Sequence, residues 1–285
     1  MLCSPTERAP ILPKNEQAAK VWDSGGEHYE RISRQISDAI DHCVDRLSPL
    51  RDEYVLDIAT GTGWTARRIA EFGASVTGVD ISATALNTAR LLNGNGQIEF
   101  RIGDAEALPF LTGKFDAVTS TFGVMFCSDP ESAASEMARV CKLGGRLALA
   151  VWDNCGGVHD MFQIISKFKP KMPAPAKSPF DWAQDDRLEE LLSRWFDLRV
   201  ERAVSFYREE SPELAWKVFS EAYGPLKTLA QTLDAKKLTS LRNEFIDFHR
   251  QFETPLGILV PRDYVIVTGQ RNDVMDTHWH RGCDQ

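Results

Sequence analysis

The sequence predicts an α/β fold built around a mostly parallel, doubly wound sheet. Between residues 53 and 152, short apolar runs of strand type alternate with segments whose apolar residues recur at helical spacing. Repeated βα units with apolar strands are typical of a parallel sheet that helices cover on both faces.

The elements of this central region can be assigned from the pattern. The predicted strands are EYVLDI, SVTGVDI, QIEFRIG, KFDAVTSTFG and RLALAVW. Helices are predicted over Thr65 to Phe72, Ala83 to Leu92 and Pro130 to Val140, and the NGNG segment ends the second of them. Residues 15–48 are predicted to be helical as well, with a break at Gly25-Gly26.

The pattern changes after Trp152. Residues 167–179 are rich in proline and lysine and cannot form the interior of a helix. The pattern predicts a short helix at 188–195, a long strand FDLRVERAVSFYRE, and helices at 212–222, 226–232 and 235–252. LVPRDYVIVTG is predicted as the last strand, and Pro261 near its start is typical of a strand at a sheet edge.

Composition narrows the function classes. The 285 residues carry a net charge of −8 and a pI near 5.4, so the chain has no overall attraction for nucleic acid or anionic membranes. No run of 18 apolar residues predicts a membrane span. Six cysteines without paired spacing suggest reduced thiols. The expectation is a cytoplasmic protein with no leader segment.

The stretch VLDIATGTGWTARRIA carries the first functional signal. Gly61, Gly63 and Ala66 satisfy the dinucleotide fingerprint G-x-G-x-x-G/A, and Asp80 follows about 20 residues later, as that motif requires. Asp57, however, ends the strand where a pyrophosphate would pass, and repulsion there would cost several kcal/mol. A ligand with ammonium and sulfonium charges would instead be stabilised. Asp57 could also simply cap the next helix.

Two later segments favour the cationic ligand. In GDAEALPF, Asp104 can accept a hydrogen bond from an adenine amino group, while Leu108 and Phe110 offer apolar cover. In FDAVTSTFGVMF, the fourth strand ends in small and hydroxyl residues before the chain turns through Phe122-Gly123.

Five segments, VLDIATGTG, VTGVDIS, GDAEALPF, FDAVTSTFGVMF and LGGRLALAVW, follow one another over roughly residues 50 to 155. In this order the sequence resembles the class I S-adenosylmethionine-dependent methyltransferases, most closely the ubiquinone/menaquinone-biosynthesis C-methyltransferases and related natural-product methyltransferases. The resemblance implies a Rossmann-like sheet of seven strands in the order 3-2-1-4-5-7-6, with strand seven antiparallel. It also implies S-adenosyl-L-methionine as cofactor and S-adenosyl-L-homocysteine as product.

The resemblance also implies site residues. The cofactor contacts it implies are Asp57, Gly61 and Gly63 at the methionine portion, Asp80 at the ribose, Asp104 with the Ala105 backbone at adenine, and Thr121 or Ser120 near the sulfonium. Ala59 and Ile81 are also predicted to bind the cofactor. The SGGEHY break adds the hypothesis that Tyr29 or Arg34 meets the cofactor carboxylate. Ala59 stands where the family usually has glycine, which predicts reduced space rather than lost binding.

The substrate side is predicted less directly. A pocket for the methyl acceptor is expected around Trp22, Phe122, Met125 and Trp152. His159 and His28 are candidate general bases if the methyl acceptor must lose a proton, although either could be an ordinary surface or packing histidine. A lid from 155–185 and 210–255 carries aromatic residues that suit an apolar or aromatic substrate: Trp216, Phe219, Phe245, Phe248 and Phe252.

These observations divide the chain into four parts. Residues 1–48 form an arm and helices, 49–153 the cofactor-binding core, 154–270 a substrate lid with the last strands of the same domain, and 271–285 a flexible tail. The tail contains His278, His280 and Cys283 at ligand-like spacing, but its polar context predicts no metal site.

The sequence thus predicts a methyltransferase that acts on a small, apolar or aromatic molecule by in-line methyl transfer, driven mainly by positioning. A dinucleotide-dependent oxidoreductase and a non-catalytic S-adenosylmethionine-binding protein are the alternatives. A nucleic-acid substrate is not expected, because the charge is acidic and the fourth strand ends in STFG. The identity of the methylated atom and the oligomeric state stay open.

Overall fold

A computed structural model of the chain describes residues 11–26, 28–94, 96, 98–170 and 178–272. These residues form one sheet of eight strands. The strands are β1 (Tyr54–Ile58), β2 (Ser75–Asp80), β3 (Glu99–Ile102), β4 (Phe115–Thr121), β5 (Cys141–Trp152), β6 (Phe196–Glu209), β7 (Glu253–Thr254) and β8 (Gly257–Arg271). Their order is β3-β2-β1-β4-β5-β8-β6, and the two-residue β7 pairs with β8.

The sheet topology confirms the predicted fold. Strands β1 to β5 pair in parallel, whereas β8 is antiparallel to both of its neighbours, β5 and β6. With β8 as the seventh major strand, the order is the one that the resemblance implies. The order reverses between β1 and β4, and in open α/β sheets ligands bind at such a switch point.

The expectation that the last strand lies at a sheet edge is wrong. β8 lies between β5 and β6, and β6 is the outermost described strand on that side. The pairing of β5 with β8 ends at Trp152 and Tyr264, before Pro261 is reached. Pro261 therefore has a neighbouring strand only on the β6 side, opposite Phe206, and the sheet can accommodate it.

The helices follow the predicted alternation. They are α1 (Glu16–Gly25), α2 (Glu30–Ser33), α3 (Ser37–Leu47), α4 (Trp64–Ala70), α5 (Ala83–Asn93), α6 (Pro130–Val140), α7 (Gly156–Ser166), α8 (Asp185–Leu188), α9 (Pro212–Ala222), α10 (Gly224–Thr232) and α11 (Ala235–Arg250). The helix predicted at 188–195 is instead α8, continued by a π-helical turn over Glu189–Ser193.

Local chemistry explains where the helices of the core begin. The Ser82 side chain accepts a hydrogen bond from the main-chain N–H of Ala85 at the start of α5. Asp129 does the same for Ser132 at the start of α6, where Pro130 occupies the first helical position.

The core packs helices against the sheet. Val55, Leu56 and Ile58 of β1 are completely buried. The apolar residues of α3 recur at helical spacing and are also buried, so the N-terminal helices belong to the same core: Ile40, Cys43, Val44 and Leu47.

Several expectations lie partly or wholly outside the described residues. These are the proline-rich loop at 171–177 and the tail from 273 onward, including its histidines and cysteine. Within the described ranges, no helix is long and apolar enough to cross a membrane, and no cluster of side chains could hold a metal ion. Cys43, Cys127, Cys141 and Cys155 are free thiols. The division into arm, core, lid and tail stays a prediction.

Candidate active site

A large cleft opens at the carboxyl ends of the parallel strands. It encloses about 1110 Å³, including its open mouth. Its walls include Ile58 at the end of β1, Asp80 at the end of β2, Gly103 just after β3 and Thr121 at the end of β4. Residues of α1, such as Trp22, close one side. The cleft therefore lies at the switch point of the sheet.

The loop between β1 and α4 turns through three left-handed residues. Ala59, Gly61 and Gly63 have φ angles of 53°, 55° and 82°. A Cβ atom at Gly61 would meet nothing closer than Tyr29, at 3.8 Å, so the backbone angle rather than space favours glycine there. A Cβ atom at Gly63 would lie 2.9 Å from Phe100, so close packing also requires glycine at that position.

Ala59→Gly is expected to raise the free energy of unfolding by up to about 1 kcal/mol. The left-handed conformation costs an L-residue about 1–2 kcal/mol, which exceeds the entropic cost of glycine, about 0.5–1 kcal/mol. Gly61→Ala should lower stability by a similar amount. Guanidinium denaturation measures both changes.

Gly113→Ala is the matched control for this pair. Gly113 has a φ of 64° and open space around it, away from the cleft. It should lose the same stability as Gly61→Ala while leaving the cleft unaltered. A destabilised Ala59→Gly variant would contradict the strain assigned to Ala59.

Asp80 ties the loop to the end of β2. Its Oδ2 atom accepts a hydrogen bond from the Gly61 main-chain N–H at 2.8 Å, and its Oδ1 atom accepts one from the Ser82 N–H at 2.8 Å. Burial raises the pKa of Asp80 to about 6, against the lowering effect of these two donors. The carboxylate therefore shapes the loop as well as the cleft wall.

Asp57 lies beneath the loop rather than on the cleft wall. Its side chain is fully buried, and Oδ2 accepts a hydrogen bond from the Thr60 hydroxyl at 2.6 Å. Oδ1 is buried with no hydrogen-bond partner in the part of the chain that the structure describes. Burial raises the pKa of Asp57 to about 7. A carboxyl group in this environment gains from a nearby positive charge.

The segment before α1 covers Asp104. The Oδ2 atom of Asp104 accepts hydrogen bonds from the Asn15 side-chain amide at 2.8 Å and the Leu12 main-chain N–H at 3.2 Å. Lys14 forms an ion pair with Glu106 at 2.7 Å. Sequence reasoning missed this contribution, because residues 11–15 show no periodicity.

A second cavity, which we call the aromatic chamber, adjoins the cleft and has a volume of about 640 Å³, including its opening. It shares four lining residues with the cleft: Tyr29, Ile36, Phe122 and Phe126. Its remaining walls are Ile32, Trp152, Gly157, Val158, Met161, Phe162, Tyr207, Phe219, Tyr223, Phe248, His249, Val260 and Arg262.

Phe122 separates the two cavities. It has a left-handed φ of 56°, and its ring stacks on Trp152 with 3.9 Å between centroids. A bulky residue in this conformation is held by its surroundings, and such strain concentrates at functional sites.

Most of the predicted site residues meet at these cavities. Those that line the cleft or the chamber are Trp22, Tyr29, Ala59, Gly61, Asp80, Ile81, Asp104, Ala105, Thr121, Phe122 and Trp152. Of the lid aromatics, Phe219 and Phe248 line the chamber.

Other predicted residues lie elsewhere. Like Asp57 and Gly63, Ser120, Met125 and Arg34 do not line either cavity. Ser120 is buried and its hydroxyl accepts a hydrogen bond from the Val124 N–H, Met125 is buried in the core, and Arg34 is exposed.

The geometry does not bring His28 or His159 to either cavity. His28 is exposed, and His159 contacts Asp160, Gln163 and the ring of Phe180. The histidine that lines the chamber is His249. Its position four residues after Phe245 on the apolar face of α11 is the signal that could have identified it.

The charge of the cleft distinguishes between ligand classes. Among the described residues that line it, every charged side chain is acidic: Asp80, Asp104 and Glu106. These carboxyl groups repel the negative charge of a pyrophosphate, as does Asp57, whose Oδ1 atom has no hydrogen-bond partner among the described residues. They favour a nucleoside ligand that carries a positive charge.

Comparisons with known proteins agree with this chemistry. Residues 56–149 match the methyltransferase-domain family. An uncharacterised protein of Mycobacterium tuberculosis is 33% identical over 210 residues, which are 69% of this chain and 76% of that protein. A demethylmenaquinone methyltransferase of Clavibacter sepedonicus is 33% identical over 148 residues, covering 50% of this chain and 60% of that protein.

The chain is a class I S-adenosylmethionine-dependent methyltransferase. Phosphoethanolamine N-methyltransferase 2 of Haemonchus contortus, solved with S-adenosyl-L-methionine, shares its fold with a TM-score of 0.53 and 18% identity. That alignment covers 83% of this methyltransferase and 53% of the other chain. The cofactor of the methyltransferase is S-adenosyl-L-methionine, and the dinucleotide-dependent oxidoreductase is no longer an alternative.

Proposed function

We propose that this methyltransferase acts on a small, apolar or aromatic molecule that binds in the aromatic chamber. The observation that carries the proposal is the wall that the chamber shares with the cleft, including Tyr29, Phe122 and Phe126. A molecule against Phe122 would lie next to the reactive end of a cofactor in the cleft. Six of the thirteen remaining wall residues are Phe, Tyr or Trp, which favours a ligand of the same character.

The cleft residues divide among the parts of the cofactor. In this proposal, Asp80 holds the ribose hydroxyls and Asp104 with Ala105 holds adenine. The main chain around Gly61 borders the methionine portion, and Thr121 lies near the sulfonium end. Asp57 contributes through its charge from beneath the loop, since it does not line the cleft.

The bound cofactor supplies a methyl group on a sulfonium, which is an excellent leaving group. The chain itself orients the methyl acceptor and excludes water. Phe122, Trp152 and Phe126 confine an aromatic ring between them and the cleft. Such positioning could supply about 7–11 kcal/mol of the acceleration of an in-line transfer, in which the sulfur–methyl bond would break as the bond to the methyl acceptor forms and the thioether would leave.

Calorimetric titration with S-adenosylhomocysteine, with NADH and NADPH in parallel, tests the cofactor half. Micromolar binding of the thioether alone is expected. A screen of small aromatic and aliphatic compounds with labelled S-adenosylmethionine then tests the substrate half. Binding without transfer to any compound would favour the non-catalytic alternative.

Val158→Trp is expected to lower methyl transfer to the best compound of that screen at least tenfold. Val158 is buried and lines the chamber but not the cleft, so the larger ring fills the space for the methyl acceptor. S-adenosylhomocysteine affinity should change less than about threefold.

Val200→Trp is the matched control, because Val200 is 40% exposed on β6. It should leave transfer and affinity unchanged. Unimpaired transfer by Val158→Trp would show that the methyl acceptor binds elsewhere.

A further inference from the structure

The aromatic chamber contains buried polar groups that packing does not account for, among them the Tyr207 hydroxyl, which has no hydrogen-bond partner among the described residues. His249 is 2% exposed and Arg262 is 5% exposed, and both line the chamber. They come from α11 and β8, outside residues 56–149 that match the methyltransferase-domain family. Burying polar groups in an apolar cavity is costly unless a partner compensates.

His249 presents a hydrogen-bond acceptor. Its Nδ1 atom lies 2.8 Å from the main-chain carbonyl oxygen of Phe245. Because a carbonyl can only accept, Nδ1 carries the proton and Nε2 carries a lone pair. Burial lowers the pKa of His249 to about 4, so the ring is neutral at physiological pH. The described residues make no other hydrogen bond to this ring, so Nε2 is available to a ligand.

Arg262 presents a positive charge without a direct counter-ion. Its Nη2 atom donates to the Gln35 carbonyl oxygen and to the Ser205 hydroxyl, and that hydroxyl donates to Asp38 at 2.8 Å. Asp38 attracts it only through the Ser205 hydroxyl and the surrounding field, and its buried Nε atom has no hydrogen-bond partner among the described residues. Burial lowers the pKa of Arg262 to about 10, which still leaves it charged.

A chain of contacts connects these groups to the cleft. Phe122, which lines both cavities, stacks on Trp152. The Arg262 guanidinium lies 5.5 Å from the centroids of both Trp152 and Tyr207. The centroids of Tyr207 and His249 are 6.2 Å apart. His249 and Arg262 therefore both lie next to the Tyr207 ring. Contacts through Trp152 connect them to Phe122.

The two groups together select among ligand chemistries. A carboxylate offers only acceptor oxygens and cannot bond to the Nε2 lone pair of a neutral histidine. A plain hydrocarbon leaves both the histidine and the arginine uncompensated. A hydroxyl on an aromatic or enolic carbon donates to Nε2, and its acidic oxygen is stabilised by the guanidinium.

We propose that the methyl acceptor is a phenol or enol whose hydroxyl donates a hydrogen bond to Nε2 of His249, with Arg262 supplying the positive charge near its oxygen. This inference rests on the proposed function, because it requires that the aromatic chamber bind the methyl acceptor. His249 and Arg262 act as residues that determine specificity.

The test compares three probes of the same ring size in the presence of saturating S-adenosylhomocysteine. They are 2-naphthol, 2-methylnaphthalene and 2-naphthoate, each titrated calorimetrically into the full-length protein. 2-Naphthol is expected to bind about tenfold more tightly than 2-methylnaphthalene, the effect of one hydrogen bond in a desolvated site. 2-Naphthoate should bind more weakly than 2-naphthol.

Two variants assign the preference to its residues. His249→Phe keeps an aromatic ring against Phe245 but removes Nε2, so it should bind 2-naphthol and 2-methylnaphthalene equally well. His159→Phe, at a histidine outside both cavities, should keep the tenfold preference. Arg262→Met should weaken 2-naphthol binding, and Arg262→Lys, which keeps the charge, should restore part of it.

The outcomes separate the two proposals. Equal binding of 2-naphthol and 2-methylnaphthalene by the unaltered protein, or a preference that persists in His249→Phe, overturns the inference and leaves the proposed function standing. Tighter binding of 2-naphthoate also overturns it. If S-adenosylhomocysteine binds but none of the three probes does, the chamber is not the site of the methyl acceptor and both proposals fail. Unchanged S-adenosylhomocysteine affinity shows that each variant is folded.

Discussion

Asp80→Asn is expected to weaken S-adenosylhomocysteine binding at least a hundredfold. The carboxylate accepts hydrogen bonds from the main-chain N–H groups of Gly61 and Ser82, one on each oxygen. An asparagine side chain can accept a hydrogen bond from only one of these donors, so the β1–α4 loop loses one hydrogen bond. The proposed contact with the ribose hydroxyls also loses its charge. Hydrogen bonds to charged groups contribute about 1.5–3 kcal/mol each. Losing one to the loop and one to the ribose therefore corresponds to a hundredfold or more in affinity.

Isothermal titration calorimetry measures this change. Asp197→Asn is the control, because Asp197 is exposed on β6 and far along the sheet from the cleft. It should bind S-adenosylhomocysteine like the unaltered protein. An Asp80→Asn variant whose affinity stays within threefold would contradict both the ribose contact and the role of Asp80 in shaping the loop.

The cofactor-free protein is expected to become more stable as the pH falls from 8 to 5.5. Burial raises the pKa of Asp57 to about 7, above its ordinary value of 3.8, so the folded state binds a proton more readily than the unfolded state. The stabilisation is therefore present at low pH and is lost as the pH rises through about 7. Over this interval Asp57 contributes about 2 kcal/mol, because one pKa unit corresponds to about 1.36 kcal/mol.

Asp57→Asn tests the assignment, because asparagine resembles the protonated carboxyl group and does not titrate. Chemical denaturation at pH 5.5, 7 and 8 should show that the variant loses about 2 kcal/mol of the pH dependence. In the variant, Asp80, whose pKa burial raises to about 6, still favours folding at low pH by about 1 kcal/mol. His249, whose pKa burial lowers to about 4, opposes this by a similar amount, so little pH dependence from these two groups should remain. A parallel dependence in the two proteins would mean that Asp57 is ionised in the folded protein throughout this range.

The predictions for Asp80 and Asp57 both depend on the buried carboxyl groups next to the β1–α4 loop. The protein holds two buried carboxyl groups on either side of the β1–α4 loop, each at a cost in stability while no cation is bound. A positively charged ligand offsets that cost. The same arrangement explains why the glycine fingerprint of residues 61–66 does not indicate a dinucleotide here.

The parallel part of the sheet could be predicted from the sequence because its signals are local. Strands β1 to β5 are apolar runs, and the helices between them have helical periodicity and recognisable caps at Ser82 and Asp129. In a parallel sheet the carboxyl ends of the strands meet at one edge. Residues at or just after the ends of successive strands, such as Asp80, Asp104 and Thr121, were assigned to one cofactor by the resemblance, and they line one cleft.

Local sequence signals did not predict whether each side chain lines the cleft or is buried beneath it. Asp57 ends a strand next to the cleft, yet it lies beneath the loop because the left-handed turn through Ala59 and Gly61 carries the chain over it. The position of β8 is a similar case. Pro261 indicated an edge strand, whereas pairing with both β5 and β6 places the strand inside the sheet.

The sequence by itself determined the class of the enzyme and its cofactor, because the residues that carry them lie within about 70 positions, each at the end of a strand. Phe122, Trp152 and the lid aromatics were predicted on the substrate side, but only the tertiary structure decided which residues join them in the aromatic chamber. Its walls come from α7, β6, α9, α11 and β8, and His249 and Arg262 are more than 120 residues from Phe122 along the chain. No local periodicity specifies which helix faces pack together over such separations. Their meeting depends on the burial of apolar surface by the whole fold.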